Sequence, residues 1–492
     1  MALISTFVIA LTFYTLVLLG AVGVDGTADT HARLWDWLRT NGCKIQGVYL
    51  DYFGPTHIRG LALEPDIDHV QIKLHQDVVW TTEVAFKDVQ LRHLLQINPA
   101  RESIEVDSED RVMSVSAGNC SEFCFRFSPQ LMLVAHVAVE KRKKEASFWK
   151  PYIDTFPNIP KRAAYIIAAA HSCDVSLLSS SENIQKSFAR SRYATRVLEQ
   201  EVSLLTKQTT ILAQLFKRSS QIMDDEFRCT LLWAGAVRAT RGFSFPILEE
   251  NLVSEYESIA LIPVFDMLNH VTTQGAPNLT DIIEVMSGDG TVSLKNLPTW
   301  NENVGLATIN TVACNLGGTF ITDEYLDFFS NEDNMDQYKQ FNIFGCAEIV
   351  IGGEAFEFNT SVTLPQMLSI VAQHTTVVHK SKNSQVVLVD LLRHLITARV
   401  RELPPLSDLV AEVLSYRLER ERERGSPASN DENRDDGVID VKYQNVVGSV
   451  TLALEHLTLR HLLLLCDYLR TSENDISVQI NQTETTGTSN LG

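Results

Sequence analysis

The residues best equipped for chemistry gather at the end of one apolar run. Ser258 to Phe265 is dense in β-branched and aliphatic residues and leads into Asp266-Met-Leu-Asn-His270. A buried strand of this kind ends in a turn, which here presents a carboxylate, an amide and an imidazole together: Asp266, Asn269 and His270. Read by itself, Asn-His after such a run is a turn or a cap. Upstream, a helical stretch through Trp233-Ala234 closes on Thr240-Arg241; downstream, Tyr325, Asn331 and Tyr338 supply two phenols and an amide. The eight cysteines form no CxxC pair and no zinc-type spacing, so no metal site is expected. Their sparse, even number allows one or two disulfides. The basic run Lys141 to Lys144 closes a long apolar helix and reads as a solvated helix end.

Taken together these segments resemble the SET-domain subfamily typified by the plant Rubisco large-subunit lysine methyltransferase, which also includes the actin histidine methyltransferase. Asp266-Met-Leu-Asn-His270 matches its DxxNH segment, and Trp233-Ala234 through Thr240-Arg241 matches its Trp-Ala helix. Ser147-Phe-Trp-Lys-Pro-Tyr-Ile-Asp-Thr-Phe-Pro157 is close to its SFWxPYxxxLP stretch, and Tyr325, Asn331 and Tyr338 reproduce its tyrosine spacing. The resemblance spans Leu34 to Leu469 and implies S-adenosylmethionine as cofactor, with methyl transfer to a lysine of a protein substrate. Histidine methylation within the same subfamily is the alternative acceptor chemistry.

The resemblance also implies roles. Tyr325 is the catalytic tyrosine, placing its hydroxyl on the amine and assisting its deprotonation; read on spacing alone it is equally a packed tyrosine beside Phe328 and Phe329. Asn269 and His270 bind cofactor through backbone and amide groups, while Asp266 either supports that turn or merely caps it. Arg241 clamps a cofactor carboxylate or a substrate group with its forked donors, or forms a surface salt bridge. Tyr338 closes over the cofactor, and Phe245 stands at a substrate-contacting position with a different residue type. Where the family reads Glu-Gly-x-Gly-Leu, this chain reads His57-Ile-Arg-Gly-Leu61, so His57, Ile58 and Arg59 line the cofactor and Ile58 crowds it. Tyr338-Lys-Gln likewise departs from the usual Tyr-Gly-Phe. These departures keep a third reading open, a SET fold that binds a protein partner without catalysis.

The elements that must position these groups form an α+β layout, a SET domain of small β-sheets with a helical insert, followed by a helical C-terminal domain resembling the family's substrate-binding domain. Residues 33–85 are the N-terminal part of the SET domain, opening with a short helix from Leu34 that Gly42 ends. Residues 86–238 are the helical insert, with long helices over Phe123 to Lys144 and Arg196 to Lys217. Residues 239–350 complete the SET domain, and 355–469 form the helical C-terminal domain. Glu419 to Asp440 reads as a solvated loop, and 471–492 as a disordered tail.

The 492 residues carry a formal net charge of -19. Such a chain repels phosphate backbones, so nucleic-acid binding is not expected and a basic protein partner fits better. Met1 to Val24 hold no charge and a long apolar run, Leu3 to Leu19, followed by small residues. Residues 1–25 therefore read as a cleaved signal peptide, or as an anchor, which is the one way the chain would hold a membrane. No second run of this length appears. Asn119, Asn278, Asn359 and Asn481 head glycosylation sequons. The expected location is the secretory pathway, secreted or lumenal, with a plastid reached through that pathway as the alternative. The expected state is a monomer.

Overall fold

A computed structural model describes residues 26–53, 58–65, 70–95, 129–160, 162–219, 224–245, 258–271, 282–285, 291–296, 298–301, 305–309, 346–351, 353–359, 364–374, 384–424 and 441–486. Residues 1–25, with the expected signal, lie outside them, as do Asn119 and Asn278.

Helix α1 (Gly26–Thr40) buries Leu34 and Leu38 and ends on Gly42, whose φ of 79° is the left-handed conformation a helix terminus favours. Short strands follow: β1 (Lys44–Gln46), β2 (Val48–Phe53), β3 (Ile58–Leu63) and β4 (Gln71–Leu74). β2 and β3 form an antiparallel hairpin from Val48↔Leu63 to Phe53↔Ile58. β5 (Trp80–Thr81) then turns into α2 (Thr82–Lys87) and α3 (Val89–Leu94), capped by the Thr81 hydroxyl and the Asp88 carboxylate.

The insert is helical: α4 (Pro129–Arg142), α5 (Lys150–Ile153), α6 (Ala163–Ser172), α7 (Leu178–Phe188), α8 (Arg192–Ser219) and α9 (Asp225–Arg241). In its Ser147-Phe-Trp stretch, Ser147 and Trp149 are buried and Phe148 is exposed. Trp149 stacks on Trp80 with ring centroids 4.4 Å apart and tilts against Trp37, tying insert, first sheet region and α1 together. Cys173, at the end of α6, is disulfide-bonded to Cys229 in α9.

Strands return as β6 (Gly242–Phe245), β7 (Ser258–Leu261), β8 (Asn269–Val271), β9 (Ile283–Val285), β10 (Val292–Leu294), β11 (Thr299–Asn301) and β12 (Gly305–Ile309). The chain order of the sheets is interleaved: β1-β4-β10-β9, β5-β7-β6 and β11-β12-β8. Segments before and after the insert thus share sheets, so the insert is an excursion from one domain. A further hairpin, β13 (Cys346–Ile351) with β14 (Glu354–Asn359), turns at Gly353, φ 93°. It carries strand structure past the expected boundary at Ala355, because Ala347, Ile349 and Ile351 alternate inward with exposed Val350.

The C-terminal helices are α10 (Leu364–His374), α11 (Ser384–Glu402), α12 (Leu406–Arg424) and α13 (Val441–Thr486). Two expectations are corrected here. The charged segment from Glu419 is helical to Arg424, since its Glu and Arg residues are good helix formers. The tail expected to be disordered from residue 471 continues α13 to Thr486, because nothing from Thr471 on breaks a helix until Gly487. Within α13, Gly448–Arg470 is long and apolar enough to cross a membrane by composition, so a second such run exists after all. Its Val450, Leu452, Leu457, Leu459 and Leu462 are buried, as in a core helix packed on α7, α11 and α12. Arg399 and Ser191 both bond the buried Glu455, fastening this domain to the insert.

Candidate active site

The turn after β7 is built under backbone constraint. Val264 is wholly buried and holds φ 72°, ψ -51°, a conformation that costs a β-branched residue about 1–3 kcal/mol. That kink starts a single 3-10 turn, Phe265–Met267, closed by the Met267 N–H on the Val264 carbonyl at 3.1 Å and the Leu268 N–H on the Phe265 carbonyl at 3.2 Å. Phe265 and Met267 bury themselves on either side and leave Asp266 facing the end of α9.

Arg241, the last residue of α9, donates to Asp266 Oδ2 at 2.7 Å and to the Asp266 carbonyl at 3.3 Å. The Asp266 side chain is fully buried and that of Arg241 is 18% exposed, so the pair is a buried one rather than the surface salt bridge considered from sequence. The guanidinium also lies 5.4 Å from the Phe156 ring centre. Beside it sits Tyr152, also fully buried, whose hydroxyl makes no hydrogen bond of normal geometry; nor does Asp266 Oδ1. Burial, and next the charge of Asp266, push the Tyr152 phenol well above its ordinary pKa. Tyr152 and Phe156 belong to the aromatic stretch that sequence comparison picked out without assigning them a role. Their polar setting becomes visible only once α5 is docked against α9.

Asn269 and His270 form the start of β8, paired in parallel with Ala307 and Thr308 of β12. The Asn269 amide donates to the Arg59 carbonyl at 3.3 Å, and the Arg59 guanidinium in turn donates to the Thr155 carbonyl. Segments 210 residues apart therefore meet at one place. Ile58 opens β3 opposite Phe53, and Phe245 ends β6 opposite Ser258. His57, Tyr325, Asn331 and Tyr338 lie outside the described residues. The structure thus brings together Arg59, Arg241, Asp266 and Asn269, with His270 and Ile58 on the same strands.

A second polar cluster is buried between α3 and α4. His136 Nε2 lies 3.1 Å from Asp88 and 3.6 Å from Glu140. The trio has the spacing of a metal site. Its protonation argues otherwise, since the Trp80 indole donates to His136 Nδ1 at 3.0 Å, leaving the ring proton on Nε2, where a metal would need the lone pair. The Lys143 ammonium is already bonded to Glu140. Burial holds the His136 pKa down, and the two carboxylates more than offset it. Burial pushes Glu140 up, but His136, Lys143 and Ser147 pull it down to about 2; His136 chiefly holds Asp88 well below the carboxylate range. This is a structural network that pins α3, α4 and the Ser147 turn.

No protein-family model matches the sequence, and no curated protein matches it. Solved structures do. The chain superposes on the SET domain of LSMT bound to lysine and AdoHcy with a TM-score of 0.50 and 13% identity, covering 90% of this chain and 92% of that one. Rubisco LSMT bound to AdoMet aligns over 94% and 97% of the two chains at 13% identity, with a TM-score of 0.48. The first similarity establishes the fold. The chain has the SET-domain architecture of small sheets and helical insert, with the helical region that follows it.

Proposed function

We propose that this protein is an S-adenosylmethionine-dependent protein-lysine N-methyltransferase of the Rubisco large-subunit lysine methyltransferase-like subfamily. The observation that carries the reading is the contact of Asn269 with Arg59. It joins the two segments that, by resemblance, hold the cofactor, although they are distant in sequence and separated by the whole insert. The LSMT SET-domain structure that superposes with a TM-score of 0.50, which holds lysine and AdoHcy, supports the same reading.

The residues fit such a ligand. The buried Tyr152 hydroxyl and Asp266 carboxylate face each other beside Arg241, whose partly exposed guanidinium bonds Asp266 through Nη1 and keeps its other donors for a carboxylate of the ligand. In this reading Arg59, Asn269 and His270 bind the cofactor with His57, Ile58 and Tyr338, and Asp266 fixes Arg241 for a carboxylate of cofactor or substrate, with Phe245 on the substrate side. When bound, S-adenosylmethionine supplies a methyl group made electrophilic by its sulfonium. The lysine must arrive as the neutral amine, its nitrogen in line with the methyl-to-sulfur bond. The lysine would shed its ammonium proton before accepting that methyl group. Tyr325 orients that amine and assists its deprotonation.

Titration calorimetry of S-adenosylmethionine into the full chain, beside Asn269→Ala and Tyr325→Phe, tests the proposal. Expected are binding to the parent, weaker binding to Asn269→Ala, and retained binding without methyl transfer for Tyr325→Phe. A folded parent that binds no cofactor overturns the enzyme reading. It would favour the partner-binding alternative, for which Ile58 in place of glycine is the specific observation. Methyl labelling of a protein substrate, read by mass spectrometry, decides between lysine and histidine.

We further propose that the chain works in the lumen of the secretory pathway. The apolar Leu3–Leu19 run supports this, as does the Cys173–Cys229 disulfide, a bond that persists in oxidising compartments. A mobility shift on treatment with an N-glycosidase checks it through the sequons.

A further inference from the structure

The basic run at the end of α4 is not the freely solvated terminus its composition suggests. It borders an open pocket of about 730 Å³ between α1, α4, α5 and the start of α9. Phe156, Phe227 and Ile153 lie beneath it, each almost wholly buried. Lys141, Arg142, Lys144, Lys150 and Arg33 line the walls, against the two carboxylates of Asp154 and Glu226. A concentration of positive charge in a chain of net charge -19 runs against the background field and needs a local cause.

Part of that charge is matched from within. Arg142 pairs with Asp224, Lys150 with Asp154 and Glu145, and Arg33 with Asp154. Lys141 and Lys144 make no ion pair with any described residue. The Lys141 ammonium sits 3.4 Å from the centre of the Trp233 ring, which is held in place by its own N–H on the Pro157 carbonyl at 2.8 Å. Lys144 follows at φ 51°, a left-handed conformation that disfavours side-chain-bearing residues. Strain of this kind collects at functional sites.

We propose that this pocket binds a small anion carrying two or more phosphate-like charges, which rest on Lys141 and Lys144. Two features make an anion the fitting occupant. Paired groups already satisfied by Asp154 and Asp224 cannot explain the unmatched ammoniums, and a concave wall lined by five cationic side chains is the form of an anion site rather than of a solvated helix end. The site lies between α1 and the insert, and among the described residues it meets the candidate active site through Phe156, whose ring carries Arg241.

Lys141 also makes the binding proton-linked. Burial, against the opposing pull of Asp154, brings its pKa down to about 8. The other charged groups facing it, Lys144, Lys150, Arg142 and Arg33 on one side and Glu226 on the other, surround it from each packed element. An arriving anion favours the charged form. Binding therefore takes up protons through Lys141, a contribution that is lost in Lys141→Met.

The test uses inorganic pyrophosphate titrated into the full chain at low salt, in buffers of differing ionisation enthalpy. Expected is saturable one-to-one binding, weakened about tenfold or more by Lys141→Met, which keeps the stem on Trp233, and by Lys144→Gly. Lys144→Gly relieves the left-handed backbone, so its melting temperature holds or rises while its affinity falls. That keeps the test decisive should Lys141→Met fold poorly. Saturating S-adenosylmethionine leaves pyrophosphate binding intact. The proposal is overturned by absence of saturable binding, by equal affinity in Lys144→Gly, or by loss of binding under S-adenosylmethionine, which would make the pocket part of the cofactor cleft. Tighter binding of a hexaglutamate peptide than of pyrophosphate, abolished by the same variants, also overturns it in favour of an acidic protein segment.

Discussion

Removing either member of the Arg241–Asp266 pair is the most informative perturbation of the candidate site. The two charges meet at 2.7 Å, with the carboxylate fully buried and the guanidinium mostly so. At an effective dielectric of about 20 and roughly 4 Å between charge centres, their attraction is about 4 kcal/mol. Truncating one partner strands the other in a poorly solvated place, which costs about 3–5 kcal/mol. Arg241→Met and Asp266→Leu are each expected to destabilise the chain by that amount. The double variant removes both charges and should cost about 2–4 kcal/mol less than the sum of the singles. Urea unfolding followed by circular dichroism reads all four species, and a shift of midpoint at constant slope reports stability alone. A coupling under about 0.5 kcal/mol would refute the reasoning. It would mean that Arg241 is held by solvent and Phe156 rather than by Asp266, and that the turn does not depend on the pair.

Three further outcomes follow from the packing. Cys173 and Cys229 close a loop with a sequence separation of 56, so replacing both by alanine should cost about 4 kcal/mol by loop entropy, seen as a lower melting temperature that reducing agent reproduces in the parent. Gly448 of α13 packs on α7 so closely that a Cβ would stand 1.8 Å from Ser187 Oγ, so Gly448→Ala should destabilise by at least about 1–3 kcal/mol, and adding Ser187→Gly should restore much of it. Glu140 contributes stability that is present above its unfolded pKa of 4.5 and lost as pH falls towards about 2. Glu140→Gln should therefore flatten the melting temperature between pH 5 and 3, within the range set by that shift; an unchanged acid limb would rule out the His136 network as its source.

Much of the architecture was legible in the residues. A helical pattern marked α8, the family resemblance marked α9, and the dense run Ser258–Phe265 marked the strand and turn ahead of Asp266. Boundaries were less so. The tail from residue 471 reads as polar and solvated in composition, yet it simply extends a helix nucleated by the apolar residues before it. The hairpin at Gly353 was missed because its turn falls at the boundary drawn there between the SET domain and the helical domain.

The sequence by itself determined which groups exist and how they are ordered: the DxxNH turn, the Trp-Ala helix ending on Arg241, the aromatic stretch with Tyr152, and the apolar start. Those are local patterns, set by side-chain type and period. Tertiary structure decided what each group is for. It turned a possible surface arginine into half of a buried ion pair, brought Asn269 to Arg59 across 210 residues, and seated Lys141 over Trp233 instead of in water. Burial and partnership depend on which elements pack together, and dielectric and charge matching act through space, where separation along the chain carries no information.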